Sequence, residues 1–371
     1  MIKVLFLIHD LSVGGAEKVL VNLVNNMDKK TFDITVMTLF GGGVNEQFLK
    51  PHIKLINHFN KTIRGNTHIL KLFSPKTLHN YFIKETYDIE VAYLEGPCAR
   101  IIGGCPDKST KLVAWIHSTF TEETFSIGFR NKAEAINTYN NFDMVASVSD
   151  SVKMNFTKFT KYTKYAPVLY NVNESARIIE KSKEQFDALR LDSNLKIAAV
   201  GKIVPNKGFF RLAKIHKRLR GEGYPIYTYI LGTGPQQKEI ESYLNKHELS
   251  NSFIFIGYQT NPYKYIANCD LFVCSSYSEG FSTAATEALI IGTPVCTTRV
   301  SGMEEMLGNN NEYGVITENE DEALYEGIRK LVSNPSLLKH YKKQAKLRGE
   351  FFKTENCVKA VEQHLLSLLK K

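Results

Sequence analysis

One segment near the end of the chain combines a predicted helix start with two glutamates. Residues 278–289 read Ser-Glu-Gly-Phe-Ser-Thr-Ala-Ala-Thr-Glu-Ala-Leu and follow an apolar run that predicts a strand. Ser282 is a good N-cap, and Gly280 lets the backbone approach a ligand closely. The free N–H groups of a helix N-terminus bind phosphates, so this helix start could bind a diphosphate. Glu279 and Glu287 would then flank the diphosphate. Because carboxylates repel phosphates, their natural partners would be the hydroxyl groups of a sugar or a ribose. A capped surface helix would explain Glu287 alone, but it would not explain the Gly-Phe-Ser-Thr sequence.

A second segment contributes two cations. Residues 201–208 read Gly-Lys-Ile-Val-Pro-Asn-Lys-Gly and follow an apolar run that predicts a strand. In parallel α/β sheets ligands bind at the carboxyl ends of the strands, which is where Lys202 and Lys207 would lie. Lys207 could offset the charge that develops on a departing diphosphate, most strongly in a site that excludes water. The alternative is a solvated loop lysine, which is the usual state of an isolated lysine.

The elements that carry these segments repeat a strand–helix pattern twice. The predicted strands are 2–8, 32–39, 89–93, 111–116 and 144–147 in the first half, and 196–200, 226–231, 253–256, 271–274 and 294–297 in the second. This alternation is typical of doubly wound α/β domains with parallel sheets. We therefore predict, in chain order, a domain at 1–172, a linker region at 173–194, a domain at 195–354 and an amphipathic helix at 355–371.

Together these segments resemble family 4 of the retaining glycosyltransferases, and in particular bacterial enzymes that make surface polysaccharides. Glu279 and Glu287 fit the E-x7-E motif of that family, and residues 201–208 are similar to its G-R-x-x-x-x-K-G element. Lys202 stands where the family usually has arginine, and lysine keeps the charge but loses the bidentate fork. Further matching positions span the chain: Gly14-Gly15-Ala16-Glu17, His117 after a strand, Gly257 after a strand, Gly292-Thr293-Pro294-Val295, Gly302 and Glu305.

The resemblance implies the GT-B fold, in which two Rossmann-like domains face each other and the C-terminal helix crosses back to the N-terminal domain. It also implies that Glu279 holds the hydroxyl groups of the donor sugar and that Glu287 holds the ribose. The diphosphate would be bound by Lys202 and Lys207, with help from backbone N–H groups at the helix start. The backbone positions of that helix start are Gly280, Phe281, Ser282 and Thr283.

The resemblance implies three further contacts. His117 would face the donor sugar, and Gly14 with Gly15 would let the N-terminal loop close onto the donor phosphates or the acceptor. Tyr258 would lie beside the nucleobase. From the residues alone, His117 is an ordinary packed histidine at a strand end, and the two glycines are a common way to begin a helix.

The expected activity is retaining transfer of a hexose or N-acetylhexosamine from a nucleotide sugar, with UDP favoured as the carrier and GDP as the alternative. No cofactor or metal is expected, because no Asp-x-Asp motif is present to bind a divalent ion. Two alternatives stay open, namely a non-catalytic partner subunit with the same fold and a nucleotide-sugar epimerase. A dehydrogenase is disfavoured, since neither half contains a complete dinucleotide-binding fingerprint.

The charge distribution bears on the acceptor. The chain has a net charge of +9, and no acidic residue lies between Glu46 and Glu85, a stretch that holds Lys50, Lys54, Lys61, Arg64, Lys71, Lys76 and Lys84. Apolar residues are interleaved with these cations, and basic surfaces attract phosphates. We expect a cytoplasmic protein that docks peripherally at the inner face of the membrane onto a polyprenyl diphosphate-linked sugar or another glycan. A merely solvated basic face is the equal alternative, and no nucleic-acid-binding motif is present.

Overall fold

The computed structural model describes residues 1–12, 14–60, 66–185 and 194–370. The chain divides into two compact units, Met1–Val172 with Thr354–Lys371, and Asn173–Lys353. The sequence placed these boundaries at 172 and 354. Of the linker region expected at 173–194, residues 186–193 lie outside the described residues.

The described part of the first unit is built on a parallel sheet in the order β3-β2-β1-β4-β5-β6. Its strands are β1 Ile2–Ile8, β2 Phe32–Phe40, β3 Lys54–Phe59, β4 Ile89–Ala92, β5 Lys111–Ile116 and β6 Met144–Ser147. Its helices are α1 Gly15–Asn26, α2 Asn66–Leu70, α3 Pro75–Phe82, α4 Pro97–Ile102, α5 Lys132–Asn140, α6 Asp150–Thr160 and α15 Thr354–Leu369. The strand order reverses at β1, which places a ligand-binding crevice at the carboxyl ends of β1 and β4.

The described part of the second unit has a parallel sheet in the order β12-β11-β10-β7-β8-β9. Its strands are β7 Leu195–Val200, β8 Ile226–Leu231, β9 Phe253–Gly257, β10 Leu271–Cys274, β11 Val295–Thr298 and β12 Val315–Thr317. Its helices are α7 Ser175–Ser182, α8 Phe209–Gly221, α9 Gln237–Lys246, α10 Tyr263–Ala267, α11 Thr283–Ile291, α12 Met303–Leu307, α13 Asp321–Val332 and α14 Pro335–Phe351. Here the order reverses between β7 and β10, the two strands that precede the predicted binding segments.

The doubly wound α/β fold class predicted from the sequence is confirmed. Two strands were missed. β3 lies inside the basic stretch, where its lysine and histidine mask the apolar pattern, and β12 has only three residues. The amphipathic terminal helix packs against α1 of the first unit, which buries its apolar stripe. In the part of the chain that the structure describes, no helix combines the length and apolar character needed to cross a bilayer.

Candidate functional site

The helix start predicted from the sequence is present at the carboxyl end of β10. Ser282 is the N-cap of α11, and its hydroxyl accepts a hydrogen bond from the Ala285 N–H at 3.3 Å. Gly302 has φ +78°, and a Cβ there would lie 2.6 Å from the Phe281 ring, so only glycine lets these two loops approach. The Gly280 carbonyl accepts the Ser301 hydroxyl at 3.0 Å. The backbone before α11 is therefore held in place, with the helix N-terminus directed to the edge where ligands bind.

Lys207 and Glu279 form an ion pair beside this helix start. The Lys207 Nζ lies 2.6 Å from the Glu279 Oε1, and the Ser276 hydroxyl donates to the same oxygen at 2.6 Å. Both charged side chains are largely buried. The sequence prediction named Lys207 and Glu279 but not Ser276, which lies three residues before Glu279 in the same loop.

The loop that carries Glu279 is anchored to the segment that carries Lys207. Gly208 has φ +66°, and a Cβ there would lie 2.0 Å from the Ser275 carbonyl oxygen, so glycine is required for this contact. The Ser275 hydroxyl donates to the Lys207 carbonyl at 2.9 Å, and the Tyr277 N–H donates to the Asn206 carbonyl at 2.8 Å. These contacts hold the backbone segments that carry Lys207 and Glu279 next to each other.

A buried arginine completes this anchor. Arg211, on α8, donates from Nε to the Ser275 carbonyl at 2.7 Å and from Nη2 to the Ser276 carbonyl at 2.7 Å. Its Nη2 also donates to the Asn319 Oδ1 at 2.9 Å, and the guanidinium stacks 3.8 Å from the centre of the Tyr277 ring. Burial lowers the pKa of Arg211 from its usual value. Sequence reasoning missed this residue, because its partners lie more than sixty residues away along the chain.

Glu287 lies on the buried side of α11. Its side chain is 4% exposed, and the Tyr263 hydroxyl donates to its Oε1 at 3.2 Å. Burial of a polar group is costly unless it is hydrogen-bonded, so the Tyr263 hydroxyl offsets part of the cost of burying Glu287. Tyr263, at the start of α10, was not predicted.

The other two predicted residues of this unit are exposed. Lys202 follows the carboxyl end of β7, and Tyr258 follows the carboxyl end of β9. Because the strands are parallel, both lie at the same edge of the sheet as Lys207 and Glu279. The structure therefore places Lys202, Lys207, Tyr258, Glu279 and the start of α11 at one edge.

In the first unit, His117 follows β5 at the carboxyl edge of the sheet. Its ring lies 4.8 Å from that of Tyr93, and its Nε2 has no hydrogen-bond partner among the described residues. Burial lowers the pKa of His117 to about 4, so its imidazole is neutral at pH 7. Glu95 accepts the backbone N–H groups of His117 and Ser118 at 2.6 and 3.0 Å, and burial raises the pKa of that carboxyl. Glu95 was not predicted.

Gly14 and Gly15 lie at the same edge, after β1. Gly15 begins α1, and Gly14 is its N-cap in an extended conformation. Glu17 follows in the first turn, and burial raises the pKa of its carboxyl, as does the nearby charge of Asp10. Val13, in the same loop, lies outside the described residues.

Among the described residues, one group of three side chains could offer ligands to a metal ion. It consists of His79, Glu90 and Cys105, whose ligand atoms all lie within 4.8 Å of one another. The His79 Nε2 lies 2.8 Å from the Glu90 Oε2, as in a hydrogen-bonded ion pair. Burial opposes the charge of His79, but hydrogen bonds to Cys105 and Glu90 raise its pKa to about 9. Glu90 lies within β4 rather than at its carboxyl end, and we interpret the group as a structural ion pair.

Residues 180–348 match the family described as glycosyl transferases group 1. The chain is 29% identical over 201 residues to the N-acetylgalactosamine-N,N'-diacetylbacillosaminyl-diphospho-undecaprenol 4-alpha-N-acetylgalactosaminyltransferase of Campylobacter jejuni, covering 54% of this chain and 53% of that one. It is 28% identical over 159 residues to the capsular polysaccharide biosynthesis glycosyltransferase CapM of Staphylococcus aureus, covering 42% and 41%. The chain thus spans about half the length of these relatives.

The fold is also similar to solved structures. Anabaena HepE, crystallised in complex with UDP, superposes with a TM-score of 0.79 at 19% identity, covering 98% of this chain and all of that one. This likeness confirms the GT-B fold that the sequence resemblance implied.

Proposed function

We propose that this chain is a retaining, metal-independent glycosyltransferase, because its residues 180–348 match the glycosyl transferases group 1 family. It moves a hexose or an N-acetylhexosamine from a nucleotide sugar, with UDP as the carrier, to a glycan or lipid-linked acceptor in surface-polysaccharide synthesis. The observation that carries this proposal is the Lys207–Glu279 pair at the N-terminus of α11. The buried Glu287 lies in the same helix, just beyond its first turn.

In the proposed donor site, the diphosphate, the sugar and the ribose of the substrate each bind different groups of the protein. The diphosphate binds the N–H groups at the start of α11 and the ammonium group of Lys207, which turns from Glu279 towards the phosphate. Glu279 then accepts hydrogen bonds from the sugar hydroxyl groups, and Glu287 accepts those of the ribose. Lys202 and Tyr258, exposed at the same edge, contact the diphosphate and the nucleobase.

The proposed reaction breaks the bond between the anomeric carbon and the diphosphate oxygen. The acceptor hydroxyl attacks the anomeric carbon from the face that the diphosphate leaves, which retains the configuration. The departing phosphate oxygen accepts the proton of that hydroxyl. Lys207 and the helix N-terminus stabilise the negative charge on the nucleoside diphosphate as it develops, and this removes the need for a divalent ion.

His117 acts in this scheme as a neutral imidazole. Its low pKa means that it does not donate a proton from an imidazolium at neutral pH. The Nε2 atom forms a hydrogen bond with a hydroxyl group of the substrate. Glu95 is a positioning residue, since it holds the backbone from which His117 projects.

Two comparisons support the acceptor and the nucleotide that we propose. The Campylobacter jejuni relative is named for a reaction on a sugar linked to undecaprenol diphosphate, which supports a lipid-linked acceptor. HepE was solved with UDP, which supports UDP as the carrier.

The test is turnover of UDP- and GDP-sugars by the purified chain in EDTA, with membrane lipid extracts and free glycans as acceptors. We expect release of one nucleoside diphosphate that depends on an acceptor, and proton NMR of the product should show the anomeric configuration of the donor. Lys207→Met should lower kcat by about 100-fold, in the range found for the loss of one charge-stabilising donor. Lys214→Met, an exposed lysine on α8, is the matched control and should leave kcat unchanged.

Three results would redirect the proposal. Activity that disappears in EDTA and returns only with manganese would refute metal independence. Conversion of the donor sugar to a free epimer without any acceptor would favour an epimerase. Tight nucleotide binding with no turnover on any acceptor would indicate a non-catalytic partner subunit.

A further inference from the structure

Within the basic stretch between Lys50 and Lys84, one short segment is the best candidate for contact with a binding partner. Lys54 forms an ion pair with Glu85 at 2.6 Å, and Lys50 donates to the Asn25 carbonyl at 2.9 Å, so both are engaged within the unit. Lys61 and Arg64 lie outside the described residues. We therefore consider the end of α2 and the start of its connection to α3, residues 69–73, here called the apolar turn.

The apolar turn presents large apolar side chains to solvent. Leu72 is 76% exposed, and Ile69 and Phe73 are each 49% exposed. Single exposed apolar residues are common, whereas three within five residues concentrate apolar surface in one short segment, and concentrated apolar surface is typical of contact sites. The turn therefore has a composition suited to contact with an apolar phase.

Two arginines hold the backbone of this turn. Arg100 donates to the Leu70 carbonyl at 2.8 Å and to the Phe73 carbonyl at 2.6 Å. Arg130 donates to the carbonyls of Lys71 and Leu72 at 2.8 and 3.3 Å. Every carbonyl from residue 70 to residue 73 thus has an arginine donor, and the side chains are left to point away from these anchors.

The anchor is itself built into the core. Arg100 is fully buried and donates to both carboxylate oxygens of Glu134, at 3.1 and 3.0 Å, which offsets the cost of burying its charge. Glu134 also accepts the Arg130 N–H at 2.7 Å. A fixed backbone lowers the conformational entropy that an exposed loop would lose on binding, so the turn is preorganised to present its apolar residues.

The charges around the turn are positive. Lys71 lies within it, and Lys76 is exposed in the first half of α3. Within the described residues neither ammonium group has an acidic partner, and the carboxylate of Glu134 already binds the two arginines. Apolar side chains between free lysines complement a bilayer with anionic headgroups, in which the lysines meet phosphates and the apolar groups enter the acyl region.

The turn also lies at the functional edge of its sheet. Arg100 is in the last turn of α4, the helix that follows the carboxyl end of β4, and it contacts the apolar turn directly. Arg130 comes from the loop that follows His117 and β5. A membrane that received the apolar turn would therefore lie beside the carboxyl edge that carries His117.

We propose that the apolar turn inserts into the anionic cytoplasmic face of a membrane and thereby brings the carboxyl edge of the first sheet to a lipid-linked acceptor. The acceptor part rests on the proposed function, whereas the membrane contact can be measured without any turnover. Leu72 and Phe73 enter the acyl region, and Lys71 with Lys76 bind lipid phosphates at the surface.

The test is flotation of the full chain with vesicles of phosphatidylcholine alone or with one third phosphatidylglycerol. We expect binding to the anionic vesicles at low salt, and Leu72→Glu should weaken it by about tenfold or more. Leu347→Glu, an equally apolar and 62% exposed position on α14, is the matched control and should bind as the wild type does. Equal binding by Leu72→Glu and the wild type, or an equal loss in Leu347→Glu, would overturn the proposal.

A second variant reports insertion directly. The only tryptophan in the sequence, Trp115, is buried, so Leu72→Trp adds one exposed reporter. Its emission should shift to the blue on anionic vesicles and should be quenched by lipids brominated in their acyl chains. Emission that stays unchanged would overturn the proposal.

Turnover measurements separate this proposal from the proposed function. If Leu72→Glu keeps full turnover of a water-soluble acceptor but loses turnover of a vesicle-bound one, both proposals stand. If the chain binds vesicles but never uses an acceptor, only the proposed function fails.

Discussion

Replacement of Arg211 by methionine should destabilise the second unit and displace Glu279. The guanidinium donates to three acceptors. Of these, the Ser276 carbonyl also accepts the Thr298 hydroxyl at 2.6 Å and would keep that hydrogen bond. A hydrogen bond from a charged donor contributes about 1.5–3 kcal/mol to stability. The variant no longer bears the cost of burying a charge, which offsets part of this loss. We therefore expect the free energy of unfolding to fall by about 2–4 kcal/mol.

The assay is thermal unfolding followed by far-ultraviolet circular dichroism. In a unit of this size, a loss of about 3 kcal/mol lowers Tm by about 6–12 °C. Kinetics should show a larger loss in kcat than in KM, since the loop that Arg211 holds presents Glu279 and Ser276. Arg220→Met, an exposed arginine on the same helix, is the matched control and should change stability by less than about 0.5 kcal/mol. An unchanged Tm and unchanged kcat in Arg211→Met would refute the reasoning.

Three further predictions concern single residues. Lys202→Arg should bind the nucleotide about threefold more tightly by calorimetry, because a guanidinium can bind phosphate with two donors; weaker binding would show that Lys202 is not at the diphosphate. Tyr263→Phe removes the donor to Glu287 and should lower nucleotide affinity by about three- to tenfold, whereas unchanged affinity would separate Glu287 from the ribose. The pKa of His79 is raised from 6.5 to about 9, so its contribution to stability is full below pH 6.5 and is lost as the pH rises through 9. Urea unfolding between pH 6 and 10 should show this loss in the wild type and a flatter profile in Glu90→Gln; identical profiles would contradict the ion pair.

The local parts of the site were predictable from the sequence. Ser282 caps α11 as expected, and Lys207 and Glu279 lie in the loops that follow β7 and β10 as expected, because each belongs to a short segment whose strand, loop and helix are specified by neighbouring residues. The ion pair that joins Lys207 and Glu279 was not predicted. The carboxyl-edge location followed from the strand–helix alternation, since parallel strands bring their carboxyl ends to one edge.

The contacts that were missed join residues distant in sequence. Arg211 reaches Ser275 across 64 positions, and Tyr263 reaches Glu287 across 24. Hydrophobic periodicity describes which face of a helix is buried, but not which polar group a buried arginine or tyrosine will meet. Tertiary structure alone reveals these partners.

The most direct test of the account is nucleotide binding in EDTA, measured as a thermal shift with UDP, GDP and ADP for the wild type and for Glu287→Ala. We expect UDP to stabilise the wild type by about 2.7 kcal/mol at one hundred times its Kd, and we expect the shift to be lost in Glu287→Ala. A shift that requires a divalent metal, or one that persists undiminished in Glu287→Ala, would contradict a metal-free donor site at the start of α11.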